Sequence, residues 1–175
     1  VQTSRGCPHD CEFCAASKLF GRYRRKPVDL VLRDVDAIRA RWPRPMLEFA
    51  DDNTIAEPVW GKELLRGLAG RGVRWFTETD SSVAQDPELL DLLAPAGCRQ
   101  LLIGFESPRR ASLVGLDARN WKLRQLDGYR RGIEAIQSRG VSVNGTFIVG
   151  MDADTPDVFE EIERFVRESG LAEVQ

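Results

Sequence analysis

A chain of 175 residues, with 25 lysines and arginines against 27 aspartates and glutamates, carries a formal net charge of −2 and is long enough for one domain with a sizeable core. This balance argues against a dedicated nucleic-acid surface. No apolar run approaches the roughly eighteen residues that a membrane-spanning helix needs. No signal peptide is visible, and the cysteines read as reduced, which points to the cytoplasm.

Residues 1–5 read as a short strand that runs straight into Gly6-Cys7-Pro8-His9-Asp10-Cys11-Glu12-Phe13-Cys14. The basic stretch 18–26 follows and reads as a solvated face. Val28, Val31, Leu32, Val35, Ile38 and Trp42 recur at helical spacing, and Pro43 and Pro45 end that helix. Residues 46–50 form a strand ending in Asp51-Asp52-Asn53, and Pro58 opens a helix that Gly70 and Gly72 stop. A third strand is expected over 73–79, then a helix that starts at the Asp86-Pro87 cap. Residues 101–105 read as a buried strand ending in Glu106-Ser107, and the long link 108–120 reads as a functional loop. A helix carrying Leu123, Leu126, Ile133 and Ile136, a strand over 141–149, a helix capped by Thr155-Pro156 and a strand starting near Ala172 complete the order. Five successive β-α units imply parallel strands with right-handed crossovers. A chain that starts and stops inside strands is expected to be a piece of a longer protein.

Three of the four cysteines fall in the spacing C-x3-C-x2-C. Thiolates are soft ligands that suit iron–sulfur clusters, zinc or copper(I). Three ligands rather than four leave a coordination position open. Zinc with His9 as fourth ligand is one reading of the tract; an iron–sulfur cluster with one open iron is the other. Cys98, distant and beside Gly97, reads as a buried, inert thiol. In parallel α/β folds ligands bind beyond the carboxyl ends of the strands. The Asp51-Asp52 pair, Glu78, Asp80, Glu106 and Gly150 all fall at such ends. Arg109, Arg110, Lys122 and Arg124 read mostly as charged surface.

The cysteine spacing, with Phe13 just before the last cysteine, resembles the radical S-adenosylmethionine (SAM) enzymes. That resemblance covers the whole chain. It implies an α/β core domain over residues 1–175, a partial (β/α)6 barrel truncated after five βα units and the start of strand six. It also implies a 4Fe-4S cluster held by Cys7, Cys11 and Cys14, with SAM chelated on the fourth iron. Reductive cleavage of SAM to a 5′-deoxyadenosyl radical would then abstract hydrogen from a small-molecule substrate, with a flavodoxin- or ferredoxin-type protein as electron donor. Phe13 and His9 would shield the cluster. Residues 101–107 resemble the family's fourth strand, whose acid, here Glu106 beside Ser107, reaches SAM. Asp51-Asp52-Asn53 departs from the family's Gly-Gly-Glu but is similar to the version in the cobalamin-binding subgroup. Residues 146–150 resemble the G-x-I-x-G adenine strand; Ile148 and Gly150 match, Thr146 replaces the first glycine, and the motif's acid falls at Ala153, beside Asp154. Residues 147–156 resemble the subgroup of hopanoid methylases and tetrapyrrole cyclases, which implies cobalamin on a domain preceding Val1. A methylthiotransferase acting on RNA, or a non-catalytic zinc or iron–sulfur module, are the alternatives.

Overall fold

The computed structural model describes Val1–Gln175, the side chain of Ser17 excepted. Two short strands, β1 (Ser4–Arg5) and β2 (Arg24–Arg25), pair antiparallel around the cysteine loop and helix α1 (Ala15–Phe20). The main sheet is built from β3 (Met46–Phe49), β4 (Arg74–Thr79), β5 (Cys98–Glu106), β6 (Ser142–Phe147) and β7 (Glu173–Val174). Its spatial order is the chain order, and every pair is parallel. Helices α2 (Val28–Arg41), α3 (Pro58–Leu68), α4 (Pro87–Leu93), α5 (Arg110–Leu113), α6 (Trp121–Gln125), α7 (Tyr129–Gln137) and α8 (Val158–Ser169) lie before and between these strands. Strands in sequential order with right-handed crossovers place the connecting helices on one face of the sheet. Helices α2, α3 and α4 pack side by side in turn, as do α7 and α8. The open parallel sheet is the partial barrel expected.

The alternation of each strand sorts its residues between two faces. Leu101, Ile103 and Phe105 of β5 are fully buried toward the helices, with Leu47, Phe49, Trp75 and Val143 from the neighbouring strands. Against them α2 presents Val28, Val31 and Val35, and α3 presents Trp60, Leu64, Leu65 and Leu68. Asp86 caps α4 by accepting from the Leu89 amide at 3.1 Å, with Pro87 at the first helical position. The opposite face carries Glu78, Leu102, Gly104 and Thr146, which border a cavity.

Four expectations are corrected. Residues 1–5 form no named strand of the main sheet: Val1 alone lies along the end of β3, donating to Glu48 O (2.7 Å) and accepting from Ala50 N (3.0 Å), before the chain turns away into β1. The single helix expected around Leu123–Ile136 is split into α6 and α7 by a 3₁₀ turn over Leu126–Gly128, where Gly128 weakens helix propagation. Helix α8 begins at Val158 rather than at Thr155-Pro156, because Thr155 O accepts from Val158 N in a preceding turn. The strand expected over 101–105 is longer than the apolar run and starts at Cys98, which is fully buried.

Candidate active site

Gly6 turns the chain out of β1 with φ +79°, a conformation open to glycine. The cysteine loop that follows is held from two sides. On one side Cys11 forms an isolated antiparallel bridge with Asp117, and Glu12 N donates to Leu116 O at 3.1 Å. Asp117 in turn accepts from the amides of Arg119, Trp121 and Lys122 at 3.1, 2.7 and 3.0 Å, fixing the start of α6. On the other side the His9 ring lies 4.3 Å from that of Trp121, and its Nε2 is 2.8 Å from Asp80 Oδ2. A carboxylate only accepts, so this contact places the ring proton on Nε2. Cys7, Cys11 and Cys14 are free thiols and border one cavity of about 200 Å³. Burial raises Cys7 and pushes Cys11 up to about 11. Both therefore need a neighbouring cation to ionise near neutral pH. The three thiols do not converge on a single-ion site, nor does any other group of three His, Cys, Asp or Glu side chains among the described residues.

The far wall comes from the carboxyl ends of three strands. Asp52 and Asn53 follow β3, Glu78 and Asp80 close β4, and Glu106 closes β5. Glu106 is a non-glycine residue at φ +63°, beside a register shift between Gly104 and Glu106. Such strain persists where surrounding contacts impose it, and it concentrates at functional sites. Here the imposing contact is Lys122: its Nζ donates to Glu106 Oε1 at 2.7 Å and to Gly104 O at 2.6 Å, with both side chains nearly buried. Asp80 is buried, which alone would raise its pKa. Hydrogen bonds from His9, the Ser82 amide and Asn53 overcome that and hold it at about 2. Glu78 is pushed upward by partial burial, then by the like charges of Asp52 and Glu48. The wall is strongly acidic, and Lys122 is its ordered cation.

Three free thiols, a buried acid–lysine pair and an acidic wall at the carboxyl rim of a sequentially wound parallel sheet narrow the families to compare. The profile of the radical SAM superfamily matches residues 1–166. The chain belongs to that superfamily. Among its relatives, the bacteriochlorophyllide d C-12(1)-methyltransferase of Chlorobaculum tepidum is 29% identical over 174 residues, 98% of this chain and 38% of that protein. The hopanoid C-2 methylase of Rhodopseudomonas palustris is 30% identical over 179 residues, 98% of this chain and 33% of that one. The structure of TsrM from Kitasatospora setae, a radical SAM methyltransferase solved with cobalamin and a 4Fe-4S cluster, shares the fold with a TM-score of 0.85 at 22% identity, over 96% of this chain and 34% of that one. The chain spans about a third of the length of these relatives.

Of the residues singled out in the sequence, this radical SAM core gathers Cys7, Cys11, Phe13, Cys14, Asp52, Asn53 and Glu106 at one cavity. It does not bring Asp51 there. Asp51 Oδ1 accepts from the amides of Thr3 (2.8 Å) and Ser4 (2.9 Å), and Oδ2 accepts from the hydroxyls of Thr3 and Thr54, so the side chain is spent tying the N-terminal segment to β3. Ser107 is buried and accepts from the Arg109 amide at 3.1 Å, capping the next turn. Ile148 lies at the rim with its amide on Glu106 O at 2.8 Å, outside the cavity. Gly150, at φ +92°, heads a turn closed by Asp154, whose carboxylate accepts from the amides of Gly150 and Met151 and from the Ser112 hydroxyl. Lys122, expected on the surface, is buried in the site. Arg109 is held by Asp157 and Glu161 instead of facing the cavity. Asp117 and Trp121 went unread; an aspartate four residues before the helix at Trp121 was the available signal. A larger cavity of about 450 Å³ lies on the helix side, between α7 and the 3₁₀ turn Ser81–Gln85, away from the cysteines.

Proposed function

We propose that this chain is the SAM-cleaving core of a cobalamin-dependent radical SAM methylase or cyclase acting on a small-molecule substrate. The observation that carries the reading is the arrangement of Cys7, Cys11 and Cys14 around the cavity that Asp52, Glu78 and Glu106 also border. Thiols that share a cavity without converging on one point suit a polynuclear cluster better than a single zinc ion, and His9, engaged on Asp80, is poorly placed as a fourth zinc ligand. A 4Fe-4S cluster on these three cysteines would supply the electron for reductive cleavage of SAM and leave one iron for it.

The chain's own residues have the remaining tasks. Asp52 and Glu78 offer negative charge to the cationic amino acid end of SAM. Glu106, fixed by Lys122, presents a carboxylate that accepts hydrogen bonds from a ligand without having to reorganise. Half-exposed Phe13 borders the cavity and is assigned the task of excluding water. Ile148 and Gly150 are assigned to the adenine side by the motif. An external flavodoxin- or ferredoxin-type donor and a cytoplasmic setting complete the reading. Cobalamin is assigned to the part of the protein beyond these residues, on the strength of the methylase relatives.

The test is anaerobic reconstitution followed by iron and sulfide analysis and calorimetry with SAM. About four irons per chain are expected, with SAM binding that depends on the cluster. Stoichiometric zinc that survives reconstitution refutes the cluster. A longer chain that binds no cobalamin refutes the subgroup and leaves SAM cleavage standing.

A further inference from the structure

Asn53 was expected to bind SAM, but its surroundings assign it another task. The carbonyl Oδ1 accepts from the Thr79 hydroxyl at 3.2 Å, while Nδ2 donates to Asp80 Oδ2 at 2.7 Å. Because the Asp80 carboxylate can only accept, the amide has one orientation. Asp80 is itself held by the Ser82 amide at 2.7 Å and by His9 Nε2. The second N–H on Asn53 Nδ2 is left for Cys7 Sγ, 3.9 Å away. Asn53 is buried and this geometry exists among the chain's own residues, without any ligand.

We propose that Asn53 is a positioning residue for Cys7, its amide clamped by Asp80 and Thr79 so that it donates to the Cys7 sulfur and sets the reduction potential of the cluster. This rests on the iron–sulfur reading above. A hydrogen bond to a ligating sulfur stabilises the more negative, reduced cluster and raises its potential, one of the protein's main levers on such centres. The clamp matters because an amide free to flip would present its carbonyl oxygen, not an N–H, to the sulfur. Asp80 thus links two parts of the cysteine loop, His9 directly and Cys7 through Asn53.

The experiment is an EPR-monitored redox titration of the reconstituted full chain, without SAM, alongside iron analysis. Asn53→Leu removes the donor, and its iron-replete form is expected to titrate at a more negative potential than the parent chain. Asn53→Gln, which keeps an amide, is expected to recover part of the shift. Thr79→Val loosens the clamp without touching the donor and should give a smaller shift of the same sign. It also serves if Asn53→Leu fails to assemble a cluster. An unchanged potential in iron-replete Asn53→Leu, or in Thr79→Val when the leucine variant does not assemble, overturns the proposal. A parent chain that takes up no cluster overturns the underlying reading instead, and the two failures are told apart by iron content alone.

Discussion

Replacing Lys122 with methionine is the sharpest structural test of the rim. The Lys122–Glu106 pair spans 2.7 Å with side-chain exposures of 8% and 7%, so water cannot take over the role of the lost ammonium. The substitution keeps the aliphatic stem and its packing but strands Glu106 as a buried carboxylate and takes the Nζ donor from Gly104 O. Breaking a buried pair by removing one partner costs about 3–5 kcal/mol. For a chain of 175 residues each kcal/mol moves the Tm by roughly 2–4 °C. The expected fall is therefore about 6–20 °C, with a matching drop in the urea midpoint. Glu106→Gln with Lys122→Met should recover much of the loss, because no isolated charge remains buried. A cost below about 1 kcal/mol for the single variant, or strict additivity in the double variant, refutes the claim that this pair holds Glu106 in its strained conformation.

Gly104→Ala drives a Cβ into Glu106 Oε1 and to 3.3 Å from Lys122 Nζ. With that oxygen pinned by the lysine, a loss of about 1–3 kcal/mol is expected in urea denaturation. Asp80 sits at about 2 in the fold against an ordinary 3.8. A depressed folded pKa adds stability that is complete above the ordinary value and is lost as pH falls through the folded one, here about 2 kcal/mol between about pH 5 and pH 2. Asp80→Asn should flatten that part of the acid limb in pH-dependent denaturation. Asp51→Ala strands two buried amides and should cost about 2–5 kcal/mol in stability. Asp52→Ala should stay within about 0.5 kcal/mol of the parent chain, yet weaken calorimetric SAM binding about 10-fold or more.

The strand and helix order was legible because each element carries its own periodicity and its own stop signals. Helix α3 starts at Pro58 and ends before Gly70, as read. What failed was decided by tertiary contacts that local pattern does not encode. Residues 1–5 look like any strand opening a parallel sheet, but Asp51 captures the amides of Thr3 and Ser4 and turns the chain toward β2. Lys122 sits in a run of charges that reads as surface. Only the fold carries it under β5, where the carbonyl of Gly104 and the carboxylate of Glu106 await it. Asp52 and Glu106 lie at the rim because a strand's last residues point there whatever the details of packing, whereas the cysteine loop reaches it through its contacts with Asp117, Leu116 and Asp80.

Adjacent Asp51 and Asp52 show why residue type alone could not separate scaffold from site. Five aspartates on the connecting segments, Asp51, Asp80, Asp86, Asp117 and Asp154, accept from backbone amides and fix the segment that carries them. A carboxylate filled by amides has its charge balanced locally and little left to offer a ligand. Asp52 and Glu78 face the cavity instead, where Glu78 is raised by burial and by its acidic neighbours and Cys11 is raised by burial. These shifts describe a site with an excess of groups that become anionic and with Lys122 as their ordered counter-charge. A cavity of that kind lowers its energy by taking up positive charge. On the proposed reading iron supplies it to the thiols and the cationic end of SAM supplies it to the carboxylates. The open iron adds a binding point for the amino acid end of SAM, so cluster assembly should strengthen SAM binding even before any electron is delivered.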